Sequence, residues 1–441
     1  MALDKDPHLL RLPRAVIAAL CVFLTVDGLD AMRRQIPDTW EIHSSDFDAY
    51  YWAGKRIREG KIAELYSTEG QDERGQRVQV KDFKNIPLVG VAFIPYSRQW
   101  YPHAWRRWWV TSLVGSLLGF IAACWWVKSW TRAWVLAWAI MFWAAAHYYP
   151  VTRAFRLGQT SQIVATLIFF AYLALCARKG ALAGFLLGMA AILKIPATLF
   201  GVFLLLSRRW HAAAAFFTTI AIAAGLSVLG FGLDIHRVWY REVIDQNLGT
   251  VFTAMNNQSL LAQLMRLGSQ LELEVVNYQP HPLPGWIAAV QWATLAVVAI
   301  YWLKRRRAIP PRSLLDLELA LSISLMPVVF PVFWFHYFLF TLVAMLFLSR
   351  VIIEDLREHQ ALLGGLLAAA YFLIAIFPIE GARSLLEQGY DWKTEILLGR
   401  SLYGSVLLVI CCLLAAWVVA RHRVPETKVG LEPHEVRESN W

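Results

Sequence analysis

The chain has 441 residues; 58% are hydrophobic, only 17% are charged, and the mean hydropathy is +0.45. Soluble domains carry roughly 25% charged residues, so a soluble globular protein is excluded. Apolar runs recur along the whole length, which also excludes a soluble domain on a single anchor. The net charge of +10 requires no nucleic-acid partner, because short basic turns beside anionic lipid account for much of it.

The first apolar run, about 13–30, follows Arg11 and Arg14 in the manner of a signal peptide. Asp27, Asp30, Arg33 and Arg34 then stand where a small-residue cleavage site would be, so the run reads as an uncleaved first helix. A long loop over about 31–108 contains Ser44-Ser45-Asp46-Phe47-Asp48-Ala49-Tyr50-Tyr51, and its pattern predicts an amphipathic helix over Phe47–Glu59, ended by Gly60. Its apolar side carries Tyr50, Tyr51, Ala53, Gly54 and Ile57; its polar side carries Asp48, Lys55, Arg56, Arg58 and Glu59. Spans follow at 109–127, 133–149 and 159–177. The run 180–207 is broken by Lys194-Ile195-Pro196 into two short or re-entrant pieces. In its first piece Gly184 and Gly188 form a small-xxx-small pair suited to close helix packing. Spans at 211–231, 285–303, 315–330, 335–349, 361–378 and 401–420 bring the total to about twelve crossings. Further loops cover about 232–284 and 379–400, and a polar tail runs over 421–441. The reading is an all-α polytopic membrane protein with a single transmembrane domain over 1–420. All five cysteines fall in apolar runs, so neither a disulfide nor a Cys-ligated metal is expected.

Charge orients this layout. With the N-terminus inside, the inner turns hold Lys128 and Arg132, Arg178 and Lys179, Arg208 and Arg209, Lys304 to Arg307 with Arg312, Arg350 and Arg357, and Arg421 and Arg423. The short outer turns hold Arg153, Arg156 and Lys194. This bias predicts both termini on the cytoplasmic side and the long loops outside, where function is expected to reside.

Several segments gather on that outer face. Asp46 either caps the helix behind it or, desolvated near aromatic residues, serves as a general base. Asp48, two residues on, has a sufficient role in the first helical turn. Arg153, Arg156 and Gln159 surround a helix start and read as a phosphate-binding set or as residues snorkelling to headgroups. Lys194 is nearly the only charge within an apolar run, beside a helix-breaking proline, and an intramembrane cation is a functional candidate. Asn257 and Gln258 could hydrogen-bond sugar hydroxyls or cap the helix starting near Ser259. Trp334 and His336 form an outer aromatic turn suited to a sugar face or to the interfacial belt.

Taken in order, Asp46-Phe47-x-x-Tyr50 with Ala53-Gly54, Gly60 and Leu65-Tyr66, then Gly158-Gln159, Gly184-x-x-x-Gly188 with Lys194-x-Pro196, Asn257-Gln258-Ser259 and Trp334-x-His336-Tyr337 resemble one family. It is the polyprenyl-phosphate-mannose-dependent α-mannosyltransferases of actinobacterial phosphatidylinositol-mannoside and lipomannan synthesis, within the GT-C superfamily of multipass glycosyltransferases. The resemblance covers roughly Ser45 to Ser349. It departs at Phe93-Ile94-Pro95-Tyr96, where the family has Tyr-Pro-Pro, and at Ser161, where the family tends to have Asn. It implies a polyprenyl-phosphate-sugar donor, a lipid or glycan acceptor and a bacterial inner membrane. Asp46 would be the catalytic carboxylate; Lys194, Arg153, Arg156 and Gln159 would receive the donor phosphate. Tyr50, Asn257, Gln258, Trp334 and His336 would contact sugar or acceptor. No nucleotide fingerprint is present and no cofactor is called for, with a divalent metal left open. A polar-lipid transporter or flippase is the alternative from another class, and an oligosaccharide ligase would share the fold and donor. A transporter predicts charges buried in several spans and an internal repeat.

Overall fold

Within the described residues the runs expected to cross the membrane are helical in the computed structural model, which describes residues 13–41, 46–71, 76–268, 279–375 and 396–421. Helix α1 (Arg14–Trp40) leads into a long loop with α2 (Phe47–Arg58), α3 (Pro87–Val91) and α4 (Ile94–Ser97). Then come α5 (Tyr101–Lys128), α6 (Trp134–Ala146), the short α7 (Tyr149–Arg156), α8 (Ser161–Cys176), α9 (Gly180–Leu193), α10 (Leu199–Leu206) and α11 (Trp210–Phe231). The second loop carries α12 (Leu233–Trp239) and α13 (Leu260–Gly268), and the chain continues through α14 (Gly285–Arg305), α15 (Pro311–Val329), α16 (Leu339–Asp355), α17 (Gln360–Ala375) and α18 (Arg400–Arg421). Among the described residues seven helical segments are long and apolar enough to cross a membrane. The protein is therefore an all-α polytopic membrane protein. Among the described residues two small two-stranded antiparallel sheets lie in the loops: β1 (Glu69–Gln71) with β2 (Arg77–Gln79), and β3 (Thr250–Phe252) with β4 (Pro280–Pro282). The loop expected at 379–400 falls mostly, and the tail over 421–441 almost wholly, outside the described residues.

Helix ends differ from the hydropathy reading for physical reasons. α1 continues past 30 to Trp40 because Asp30 pairs with Arg33 and Arg34, each at 2.9 Å, so charges support the helix where the apolar run stops. α5 starts at Tyr101, eight residues before the expected 109, with Pro102 in its first turn. α2 ends as expected: Gly60 has φ +72 and the Lys61 amide reaches back to the Arg56 carbonyl. Arg56 itself is not on a solvated face. It is buried and donates to the carbonyls of Leu65, Ser67 and Glu69, folding the following turn onto α2.

Close packing places the break in the 180–207 run. A Cβ at Gly184 would lie 2.0 Å from the Ala212 carbonyl oxygen, and one at Gly188 would lie 2.8 Å from Thr219, so only glycine lets α9 meet α11 this closely. The chain then leaves α9 in an extended conformation at Lys194 (φ −144, ψ 113) and enters a 3-10 turn over Ile195–Thr198. Helix rupture frees backbone carbonyls that must find donors. The Asn85 amide supplies them, donating to Ile192 and Leu193 at 3.3 and 3.0 Å.

Lys194 is not the lone charge within the bundle. Asp316 and Glu318 of α15 and Arg350 of α16 are all buried. Arg350 pairs with Asp316 and, at 2.6 Å, with Glu354; Arg306 reaches Glu318 at 3.0 Å. These charges pair with one another at the end of the bundle that carries the basic turns.

Candidate active site

The site begins where α2 meets the turn before α8. Asp46 has helical dihedrals (φ −69, ψ −15) and makes no side-chain capping bond. The amide next to it, of Phe47, donates to the Leu157 carbonyl at 3.0 Å. The turn that accepts it runs through Gly158 at φ +62, whose carbonyl takes the Trp108 indole N–H at 2.8 Å. A Cβ on Gly158 would lie 2.6 Å from both Phe47 and Trp105, so glycine is required for backbone shape and for space. This turn aims Gln159 at Asp46.

Gln159 joins the two charged candidates. Its Nε2 donates to Asp46 Oδ2 at 2.5 Å, and its Oε1 accepts from Lys194 Nζ. The result is a carboxylate–amide–ammonium bridge drawn from three distant segments. Lys194 Nζ also lies 3.4 Å from the Tyr50 hydroxyl and 5.0 Å from the centroid of the Tyr337 ring. Lys194 and Gln159 are buried, Asp46 is half-buried, and Tyr50 stacks on Phe93 at 4.6 Å. With Oδ2 held, Asp46 Oδ1 makes no hydrogen bond among the described residues. A carboxylate with one oxygen fixed and the other open is suited to taking a proton. A buried ammonium ringed by neutral groups is suited to an anion.

The aromatic turn closes the cluster. His336 is buried, its Nε2 lacks a partner among the described residues, and it feels the charges of both Lys194 and Arg153. Asn257 is fully buried and saturated: its side chain donates to the Phe252 and Pro331 carbonyls and accepts from the Phe333 and Ser259 amides. It therefore staples the 252–259 segment to the turn that carries His336. Trp334 takes part through a bridge to Asn257. Gln258 donates to the Met255 carbonyl, and its buried Oε1 has no partner among the described residues. The cap near Ser259 is real: its hydroxyl oxygen accepts from the Ala262 amide at 3.1 Å. Arg156 lies half-buried at 3.6 Å from Asp38 of α1. Asp48 points elsewhere, accepting from the Lys81 amide and the Trp52 side chain, and burial pushes its carboxyl above the usual range.

The structure thus brings together Asp46, Tyr50, Gln159, Lys194, His336 and Arg153, and it puts Asn257 and Trp334 in the support behind them. Sequence reasoning gave Tyr337 no role of its own, although it sits beside His336, and it missed Asn85. A lone Asn in a loop carries no sequence signal; only the rupture it repairs reveals it. Among the described residues no group of three or more His, Cys, Asp or Glu is placed to hold a metal. The family model for glycosyltransferase family 87 matches residues 87–331, over half of the chain. A search of curated proteins finds no match.

Proposed function

The chain belongs to glycosyltransferase family 87 and is a membrane glycosyltransferase, and from that premise we propose that it moves a sugar from a polyprenyl-phosphate donor to a hydroxyl of a lipid or glycan acceptor on the outer face. Mannose, another hexose or a pentose is the transferred sugar, and the membrane is a bacterial inner membrane with both termini cytoplasmic. The observation that carries the reading is the Asp46–Gln159–Lys194 bridge.

Asp46 Oδ1 takes the proton of the acceptor hydroxyl as its oxygen forms a bond to the anomeric carbon. The bond from that carbon to the donor phosphate oxygen breaks, and polyprenyl phosphate leaves with one more negative charge. Lys194, with Arg153 nearby, offsets that charge in a site where little water screens it. Tyr50 and Tyr337 orient the ammonium, and the buried His336 is available as a neutral hydrogen-bonding group toward the sugar. Arg156 serves the donor phosphate, and the buried Gln258 offers its Oε1 to the sugar or acceptor. The chemistry needs no nucleotide.

Purified protein in oriented vesicles, given a panel of polyprenyl-phosphate sugars on the face opposite the 304–312 arginines, should release polyprenyl phosphate. Asp46→Asn retains an acceptor for Gln159 and should fold, while turnover falls by roughly 10²–10⁴-fold, the usual effect of losing a general base. Asp48→Asn should stay near wild type. An active Asp46→Asn enzyme beside an inactive Asp48→Asn one would reverse the assignment.

A further inference from the structure

Outside the site, an open groove of about 510 Å³ lies between the end of α1, α4 and the first turns of α5, with Trp40, Tyr96, Arg106, Arg107, Val110 and Thr111 in its lining. Arg106 and Arg107 are exposed, and neither has a carboxylate within ion-pair distance among the described residues. Arg106 instead lies over the Trp40 ring, 5.7 Å from its centroid. The groove wall is fixed: the Tyr96 and Thr111 hydroxyls are 2.9 Å apart, and the Thr111 hydroxyl donates to the Arg107 carbonyl at 2.9 Å. Two neighbouring guanidiniums without acids, one on an indole face, offer planar donors for a phosphate.

The helix below the arginines says what carries that phosphate. Val110, Val114, Leu117, Leu118 and Ile121 are all exposed on α5, a segment long and apolar enough to span a membrane. Their spacing puts them on one face, one to four turns beyond Arg106 and Arg107. A ligand that matches both parts is an amphiphile with an anionic head at the arginines and hydrocarbon along the stripe. The groove is also separated from the reacting cluster. Tyr96 packs on Trp108 at 5.5 Å, Trp108 on Phe93 at 4.8 Å, and Phe93 on Tyr50 at 4.6 Å. A headgroup seated there is a layer of rings away from Asp46 and is not the reacting phosphate.

We propose that this groove seats the phosphate headgroup of an anionic phospholipid of the surrounding leaflet, held by Arg106 and Arg107, bracing the aromatic layer that backs Tyr50. The seat is independent of the reaction proposed above and is read by lipid retention rather than by turnover. The full-length protein is exchanged into bilayers of mixed phosphatidylglycerol and phosphatidylcholine, extracted, and its retained lipid counted by native mass spectrometry. Wild type should retain phosphatidylglycerol over phosphatidylcholine, and Arg106→Gln with Arg107→Gln should lower that retention roughly tenfold or more, as expected for two basic contacts at a membrane surface. The paired Arg→Lys variant keeps the charge, should keep most of the retention, and controls for folding. Equal retention of the two lipids by wild type, or unchanged phosphatidylglycerol retention in the Gln variant, overturns the proposal. Displacement of phosphatidylglycerol by equimolar polyprenyl phosphate, lost in the Gln variant, also overturns it and gives the groove to the carrier lipid.

Discussion

Gln159 keeps apart two groups that would otherwise spend their charge on each other. A direct Lys–Asp pair would occupy the donors that a phosphate needs and make the carboxylate a poorer base. An amide between them donates to one and accepts from the other, leaving both usable. Gln159→Glu tests this. A second carboxylate takes up Lys194 and sets a like charge beside Asp46. Two adjacent carboxylates hold a shared proton to higher pH than one, so the acid limb of kcat/KM should move upward. The rate at neutral pH should drop by about 10²-fold, within the range for general-base catalysis. An unshifted acid limb would show that Gln159 does not couple the two. Asp46, Gln159 and Lys194 were each legible in the sequence as a polar residue in an unusual place. Their bridge was not, because sequence separation carries no information on how three loops converge. For the same reason the contacts of Gln159, expected as a phosphate ligand, with Asp46 and Lys194 appear only in the structure.

At the level of elements, hydropathy recovers the helices that touch hydrocarbon and fails where a helix outlives it, as in α1 and α5. Hydropathy registers the solvent around a helix, whereas the hydrogen-bond ladder ends only when the backbone is interrupted. Arg56 shows the reverse error: its charge suggested the polar face of α2, but three backbone carbonyls bury it. The short turn at Gly158 carries more of the site than either helix around it. Gly158→Ala meets a left-handed backbone and two contacts at 2.6 Å, for an expected cost of about 1–3 kcal/mol or more. Thermal unfolding in detergent should show a clearly lowered midpoint, together with loss of turnover as Gln159 swings off Asp46. A midpoint equal to wild type would mean that Phe47 and Trp105 yield more easily than their burial implies.

For the whole molecule, the basic turns predicted a two-faced protein, and the structure gathers the candidate residues at the end away from those turns. Positive-inside counting treats each arginine as a headgroup contact, and so it placed Arg350 in a solvated turn. Its partners Asp316 and Glu354 come from α15 and from the next turn of α16, and only the tertiary fold pairs them. Buried charges alone would have favoured a transporter. Here they neutralise one another within the bundle, and the family match assigns a transferase.

The broken helix has a consequence in bilayer mechanics. α9 has 14 residues, about 21 Å at 1.5 Å per residue, against a hydrocarbon core of about 30 Å. Arg178 and Lys179 precede it, and Arg208 and Arg209 follow α10, so both limbs are anchored to the same leaflet. An upright α9 that began at the near boundary would end about 9 Å short of the far one. In the proposed reaction a donor phosphate would then sink to meet Lys194, or the bilayer would pinch to bring the headgroup layer down. Hydrophobic mismatch thereby enters the rate. Turnover in short-chain vesicles should exceed that in long-chain vesicles of the same headgroup, and a rate indifferent to chain length would mean that a water-filled funnel supplies the missing depth.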